Sequence, residues 1–243
     1  MLSRVRRVFF DSSYIFPNDD GFRHEIKFTL QPGAYYKFRD FCLGFMDLDK
    51  NANENGEYTV KSHYFDTLYF ADYNEKLNGI YERQKYRART YGDTGYYKLE
   101  KKMKRGNLNK KFSGEICAEH VNELIRGQMD IKTGNENTDS IIYEMYLKAC
   151  RHSAYIVYNR QAFLLKELDI RITFDKDISA LYGNCIFNEH MPDPIPVFYG
   201  GETILEIKYK DYLPKWIERA IHQLVPSEYS VSKYAESLGN ILK

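Results

Sequence analysis

The chain has 243 residues, with 35 Lys/Arg against 34 Asp/Glu and a formal net charge of +1. This length holds one large domain or two small ones with a sizeable core, and the near-neutral balance argues against a general nucleic-acid coat. Twenty-two Tyr and fifteen Phe favour strands over helices. The sequence contains no apolar run long enough for a transmembrane helix, so no direct membrane insertion is expected. The basic opening "MLSRVRRVFF" lacks the apolar core of a signal peptide. The cysteines, Cys42, Cys117, Cys150 and Cys185, are scattered, without C-x-x-C or zinc spacing. That pattern fits buried free thiols in a reducing cytoplasm.

Residues 1–21 read as an extended arm and 22–243 as a single domain. "FRHEIKFTL" alternates as a strand, with Phe22, His24, Ile26, Phe28 and Leu30 on one face and Arg23, Glu25, Lys27 and Thr29 on the other. Gln31-Pro32 starts a helix whose Tyr35, Phe38, Phe41, Cys42 and Phe45 recur at helical spacing. "YTVKSHYFD" is a strand and "FADYNEKLNG" a short helix ending at Gly79. "YERQKYRARTYG" and "TGYYKLEKKMKRG" form a hairpin continued by "NKKFSGEIC". Residues 118–153 are helical in character, with Ile142, Met145, Tyr146 and Ala149 on one packing face. "AYIVYNRQAFLL", "LDIRITFDKDIS" and "ETILEIKYKDY" are strands, and "PKWIERAIHQL" and "SKYAESLGNIL" are closing helices. The order is antiparallel β with helical insertions, an α+β chain. About eight such strands can close into a barrel without exposed edges.

The charge pattern carries the functional signal. Between Arg83 and Lys111 lie eleven Lys/Arg and two acids, whereas the rest holds 24 basic and 32 acidic residues. Strand after strand repeats charges at every second position: Arg23, Glu25, Lys27; Arg83, Lys85, Arg87, Arg89; Lys98, Glu100, Lys102; Arg160; Asp169, Arg171, Thr173; Glu206, Lys208, Lys210. A barrel lined this way is costly unless an anion and its counter-ion occupy it. A polyphosphate chain matches: Arg grips phosphate oxygens in pairs, Lys acts as a point charge, and carboxylates hold bridging Mg2+ or Mn2+. No Walker A, G-x-G-x-x-G or kinase signature is present.

The ordered motifs "RHEIKF", "SHYFDT", "YERQKYRARTYG", "LEKKMK", "YNRQAF", "RITFD", "LEIKYKDYLP" and "SKYAES" resemble the VTC-type polyphosphate polymerase domain of the CYTH-like triphosphate tunnel metalloenzymes. The likeness spans roughly 22–238 and is greatest to stand-alone prokaryotic members, which lack an SPX domain and membrane segments. It implies an eight-stranded antiparallel tunnel with a C-terminal helix closing one end. It also implies a metal-dependent phosphotransferase that passes the γ-phosphate of ATP to pyrophosphate or a growing polyphosphate chain. By position in these motifs, Lys27, Arg87, Arg89, Lys102, Arg160, Arg171 and Lys233 are the expected catalytic set. With Lys98, Lys111 and Lys208 they form the phosphate-binding set. Glu206, assisted by Glu25 or Glu100, is the expected metal ligand for Mn2+ or Mg2+. The wider CYTH pattern E-x-E-x-K has Arg23 at its first position here, which leans toward the polymerase branch. Other readings of the same tunnel are a tripolyphosphatase or nucleoside triphosphatase, or a non-catalytic polyphosphate- or nucleotide-binding module. Arg83 and Lys85 fit either the tunnel or solvent near its mouth. Lys101 and Lys104 are assigned to the outer face, and His24 and His63 to the core.

Overall fold

The computed structural model describes residues 22–92, 94–182, 193–224 and 232–239; the expected arm over 1–21 and Cys185 lie outside the described residues. In chain order the elements are β1 (Arg23–Leu30), α1 (Pro32–Leu43), β2 (Asp47–Leu48), β3 (Glu57–Asp66), α2 (Ala71–Leu77), β4 (Glu82–Tyr91), β5 (Tyr96–Arg105) and β6 (Leu108–Cys117). There follow α3 (Ala118–Ile125), α4 (Glu136–Leu147), β7 (Arg151–Leu165), β8 (Ile170–Tyr182), β9 (Ile195–Pro196), β10 (Thr203–Tyr209), α5 (Lys215–Leu224) and α6 (Lys233–Gly239). Among the described residues no helix is long and apolar enough to cross a membrane.

Eight antiparallel strands close in the order β7-β3-β4-β5-β6-β1-β10-β8, with β8 pairing back to β7. The two-residue strands β2 and β9 only extend this sheet. The weakest seam joins β6 to β1 through two residue pairs, Arg23–Asn109 and His24–Leu108. Traced once around the barrel, the pairing advances four residues along β1, two along β10, four along β3 and six along β4, a shear of sixteen over eight strands. Such a shear tilts the strands steeply and widens the interior. Long Lys and Arg side chains therefore fit inside it.

The helices cover the outer apolar faces. Phe28 and Leu30 of β1 pack with Phe38 of α1, Phe163, Phe174, Leu205 and Ile217 of α5. Leu99 of β5 and Ile116 of β6 pack with Leu124 of α3 and Ile142 and Met145 of α4. A third cluster lies on the inner face instead, where Tyr234 and Leu238 of α6 join Val60, Ile156, Tyr158 and Ile204, residues that share the faces of Tyr64, Arg160 and Glu206. Alternation thus separates an apolar outer face under α1, α3, α4 and α5 from an inner face that is charged except where α6 packs into it.

The structure differs from the sequence reading over 118–153. α4 ends at Leu147, Ala149 takes a left-handed turn at φ 52°, and β7 already starts at Arg151. The buried stripe is Thr138, Ile141, Ile142 and Met145. Tyr146 falls off that stripe and is 62% exposed, so neither it nor Ala149 belongs to a packing face. Cys42 and Cys150 are buried free thiols as expected, but Cys117 is exposed because it ends β6 at the start of α3.

Gly114 marks a close approach of α4 to the barrel. A Cβ there would lie 2.2 Å from Thr138 Oγ1 and 2.8 Å from the Thr138 amide nitrogen. Thr138 is fixed in place, since its hydroxyl donates to the Glu115 carbonyl at 2.8 Å and its amide donates to the capping Asn135 side chain at 3.2 Å. Gly114→Ala is expected to lower unfolding free energy by about 2 kcal/mol or more through overpacking, read by urea denaturation, whereas Gly79→Ala has open space and only its positive φ to strain it.

Candidate active site: a cation-lined tunnel

The barrel encloses a cavity of about 550 Å³. Among the described residues, fifteen Lys and Arg line it, against two acids, Glu25 and Glu206. At a slope of two residues per strand, Arg87, Lys102, Asn109, Glu25, Glu206 and Asp175 fall on one level around the wall. Three charge networks meet there.

The first joins β1, β5 and β10. Lys27 Nζ lies 3.0 Å from Glu25 and 3.3 Å from Glu206. Lys102 donates to both Glu25 oxygens at 2.6 and 2.7 Å, and Lys208 reaches Glu206 at 2.6 Å. Burial and the adjacent Glu206 push the Glu25 carboxyl up, but Lys102, Lys27 and Lys208 outweigh them and hold it at about 2. Burial is likewise overcome at Glu206, which Lys208, Lys27 and Lys102 keep well below the carboxylate range. Both acids are therefore ionised. Burial drops the Lys102 ammonium to about 7 despite Glu25: two carboxylates cannot fully compensate three lysines.

The second network joins β3, β4, β5 and β6. Arg87 Nε donates to Glu100 at 2.6 Å and Lys111 donates to the other carboxylate oxygen at 2.9 Å. Arg87 also donates to the Tyr64 hydroxyl at 3.3 Å, and Arg89 to the Tyr158 hydroxyl at 3.2 Å. Against its burial, Arg87, Arg89 and Lys111 hold Glu100 well below its usual range. The third network ties α6 to the wall. Arg160 grips Asp175 with two donors at 2.6 and 2.9 Å, and Lys233 of α6 pairs with the same carboxylate. Lys85 donates to Ser232 Oγ at 2.9 Å and lies 5.0 Å from the Tyr234 ring centroid. Burial lowers the Lys85 ammonium to about 8.

Of the residues singled out in the sequence, Lys27, Arg87, Arg89, Lys102, Lys111, Arg160, Arg171, Lys208, Lys233, Glu25 and Glu206 reach the cavity wall. Arg171 does so while bonded to Asp49 at 2.8 Å and Tyr58 at 3.0 Å. Arg83 and Lys85 also line it. Lys98 does not: it has the inward parity but sits near the start of β5, past the end of the cavity, and is exposed. Glu100 is inward and buried, but Arg87 and Lys111 occupy it, away from the Glu25–Glu206 pair. Lys104 lines the cavity because it shares the parity of Lys102, two residues away, whereas Lys101 is outside, bonded to Glu144. Asp169 is an exposed partner of Arg23 at 2.9 Å. His63 is a core residue, 3.1 Å from His152, while His24 is only half-buried, stacked on Tyr209 at the cavity rim. Sequence reasoning missed Asp175, although it continues the alternation of Arg171 and Thr173. It also missed the hydroxyls of Tyr64 and Tyr158, hidden among many tyrosines.

Among the described residues no three Asp, Glu, His or Cys side chains converge as a complete metal site. Glu25 and Glu206 nevertheless fit a hard divalent cation that draws its remaining oxygens from water and phosphate. Both are ionised, and Thr173, opposite Glu206 in register, has a buried hydroxyl without a partner among the described residues.

The sequence profile of the VTC domain matches residues 22–241. No curated protein matches the chain. Among solved structures it is similar to HpAC1 of Hippeastrum, provisionally assigned as an adenylyl cyclase and described as having a dominant triphosphatase activity. That pair has 16% identity and a TM-score of 0.53 over 90% of this chain and 96% of that one. A Bacillus halodurans protein provisionally assigned as an adenylate cyclase aligns at 10% identity and TM-score 0.51, over 87% and 95% of the two chains. Protein PH1819 of Pyrococcus horikoshii aligns at 12% and 0.50, over 91% and 99%. At these identities the likeness is one of fold.

Asp175 yields a prediction. Burial favours its neutral form, but Arg160 and Lys233 depress the folded value from 3.8 to about 2. A depressed carboxylate contributes stability that is present above the unfolded value and is lost as pH falls through the folded one. Asp175→Asn leaves Arg160 and Lys233 unpaired and is expected to cost about 3 to 5 kcal/mol at neutral pH. It should also flatten the loss of stability between pH 4 and pH 2, measured by denaturant titrations across that range.

Proposed function

The chain belongs to the VTC domain family, and from that membership and its cation-lined tunnel we propose that it is an ATP-dependent polyphosphate polymerase. The reading takes residues 22–243 as one catalytic unit. The observation that carries it is the imbalance, among the described residues, of fifteen basic against two acidic side chains around one cavity, a surplus that a chain of phosphates neutralises.

Arg87, Arg89, Arg160, Arg171 and Lys233 are assigned to clamp the triphosphate of ATP, and Lys27, Lys102, Lys111 and Lys208 to hold the acceptor end. An oxygen of the acceptor's terminal phosphate attacks the γ-phosphorus, the bond to the β–γ bridging oxygen breaks, and ADP leaves. The acceptor, pyrophosphate or polyphosphate, is already anionic, so the residues need to align and neutralise rather than remove a proton. Glu25 and Glu206 would hold Mn2+ or Mg2+, which supplies charge neutralisation at phosphate oxygens. Glu100 and Asp175 keep the arginines charged and aimed. A second reading is hydrolysis of the same triphosphate, the activity ascribed to the Hippeastrum protein, with the two carboxylates orienting water.

Incubation with ATP, Mn2+ and a pyrophosphate primer is expected to give a polyphosphate ladder on a stained gel together with ADP. Free phosphate without a ladder would establish hydrolysis instead, and tight binding without turnover would establish a binding module. Arg87→Ala and Glu206→Ala are expected to lower turnover by about two orders of magnitude or more; full activity in either would remove that residue from the site.

The Lys85 value of about 8 adds a proton-linkage prediction. A bound polyanion favours the ammonium, so tripolyphosphate binding at pH 8 should take up more protons in the wild type than in Lys85→Met. Calorimetry in buffers of different ionisation enthalpy measures the difference; equal uptake would show that Lys85 does not sense the ligand.

A further inference from the structure

Asn109 is a buried polar group that the networks above leave out. It lies on β6 and lines the cavity, yet neither its Nδ2 nor its Oδ1 has a hydrogen-bond partner among the described residues, although the residue is only 9% exposed. An unpaired buried amide is costly, and a conformation that leaves both of its polar atoms idle points to a missing ligand.

Its position says which ligand. Asn109 pairs in register with Lys104 on one side and Arg23 on the other. Glu25 is two residues beyond Arg23 on the same inward face of β1, and the barrel's shear brings it to the level of Asn109. Lys102 of β5 and Glu25 of β1 flank β6, so their ion pair at 2.6 Å spans the strand that carries Asn109. Arg23 itself turns to Asp169 at 2.9 Å and brings no oxygen. Once Lys102 is drawn to phosphate, Glu25 is left beside a neutral oxygen donor and across from Glu206. A carboxamide oxygen is a hard ligand of the kind that Mg2+ and Mn2+ accept.

We propose that the Asn109 side-chain oxygen is the third protein ligand of a divalent cation held by Glu25 and Glu206, with its Nδ2 donating to a phosphate oxygen bound to the same ion. Ion and chain are then read together by one amide. This rests on the tunnel reading above, and the test separates the two.

Mn2+ is titrated by electron paramagnetic resonance into the full-length protein with tripolyphosphate present. Metal-free tripolyphosphate affinity is measured in parallel by calorimetry. Asn109→Ala is expected to weaken Mn2+ binding about tenfold or more, a clearly larger factor than its loss of metal-free tripolyphosphate affinity, and retained tripolyphosphate binding also reports a folded tunnel. Asn109→Asp retains the oxygen and is expected to hold Mn2+ at least as tightly as wild type. In protein labelled with carboxamide-13C asparagine, electron–nuclear double resonance should show a Mn–13C coupling that Asn109→Ala abolishes. Unchanged Mn2+ affinity in Asn109→Ala, no such coupling, or equal losses of Mn2+ and metal-free tripolyphosphate would overturn the proposal. Wild-type protein that binds tripolyphosphate but no Mn2+ would overturn it and leave the tunnel reading standing. Protein that binds neither would end both.

Discussion

Like-charge crowding inside a closed barrel is the constraint on which the rest depends. Lys27, Lys102 and Lys208 share two carboxylates, and Arg87, Arg89 and Lys111 share one. Each shared acid screens its neighbours incompletely, because desolvation penalises every charge while attraction is divided among several partners. Burial accordingly pulls Lys85 and Lys102 down to about 8 and 7. The lining charges leave an electrostatic deficit that an entering polyanion would relieve. Polyanion binding would then be favoured by the same desolvation that makes the charged lining costly.

The barrel must tolerate that deficit, and the division of labour between its faces shows how. The apolar clusters under α1 and α5 and under α3 and α4 lie on the outer faces of the strands. Hydrophobic burial there offsets the interior's cost without competing for space in it. The helix α6 is the exception, since it brings Lys233 and Tyr234 into the cavity while Leu238 packs below. Its attachments include Lys85–Ser232, Tyr234–Asp66 and Lys233–Asp175. Two of these three use lysines that also face the cavity, so the helix that closes the barrel shares its cations with whatever the cavity holds.

The alternation of Arg87 with Arg89, and of Lys102 with Glu100, was legible in the sequence because period two fixes the face. Parity does not fix height. Lys98 has the right parity and lies outside the cavity, since height depends on a shear that accumulates over eight pairings, most of them between strands distant in sequence. One diagonal step across the β6–β1 seam puts Asn109 level with Glu25, eighty-four residues earlier in the chain, which no local pattern announces. Asp175 was visible in principle, as the next member of the Arg171, Thr173 series. Tyr146 was misassigned because two neighbouring positions of a helix can both fit a short stripe, and only the contact with Gly114 and β6 selects between them.

Glu25 and Glu206 show why residue type alone underdetermines chemistry in such a site. Each is a metal-ligand candidate and each is already bonded to lysines, so a cation and the resident ammonium groups compete for the same oxygens. A phosphate would resolve the competition, because its oxygens can accept the displaced ammonium groups and ligate the cation at once. Anion and cation binding are therefore expected to be mutually dependent, a coupling that a carboxylate cluster free of lysines would lack. Among the described residues, fifteen cations around two cavity-lining carboxylates would place the larger share of that neutralisation on the chain's own side chains and the smaller share on a metal.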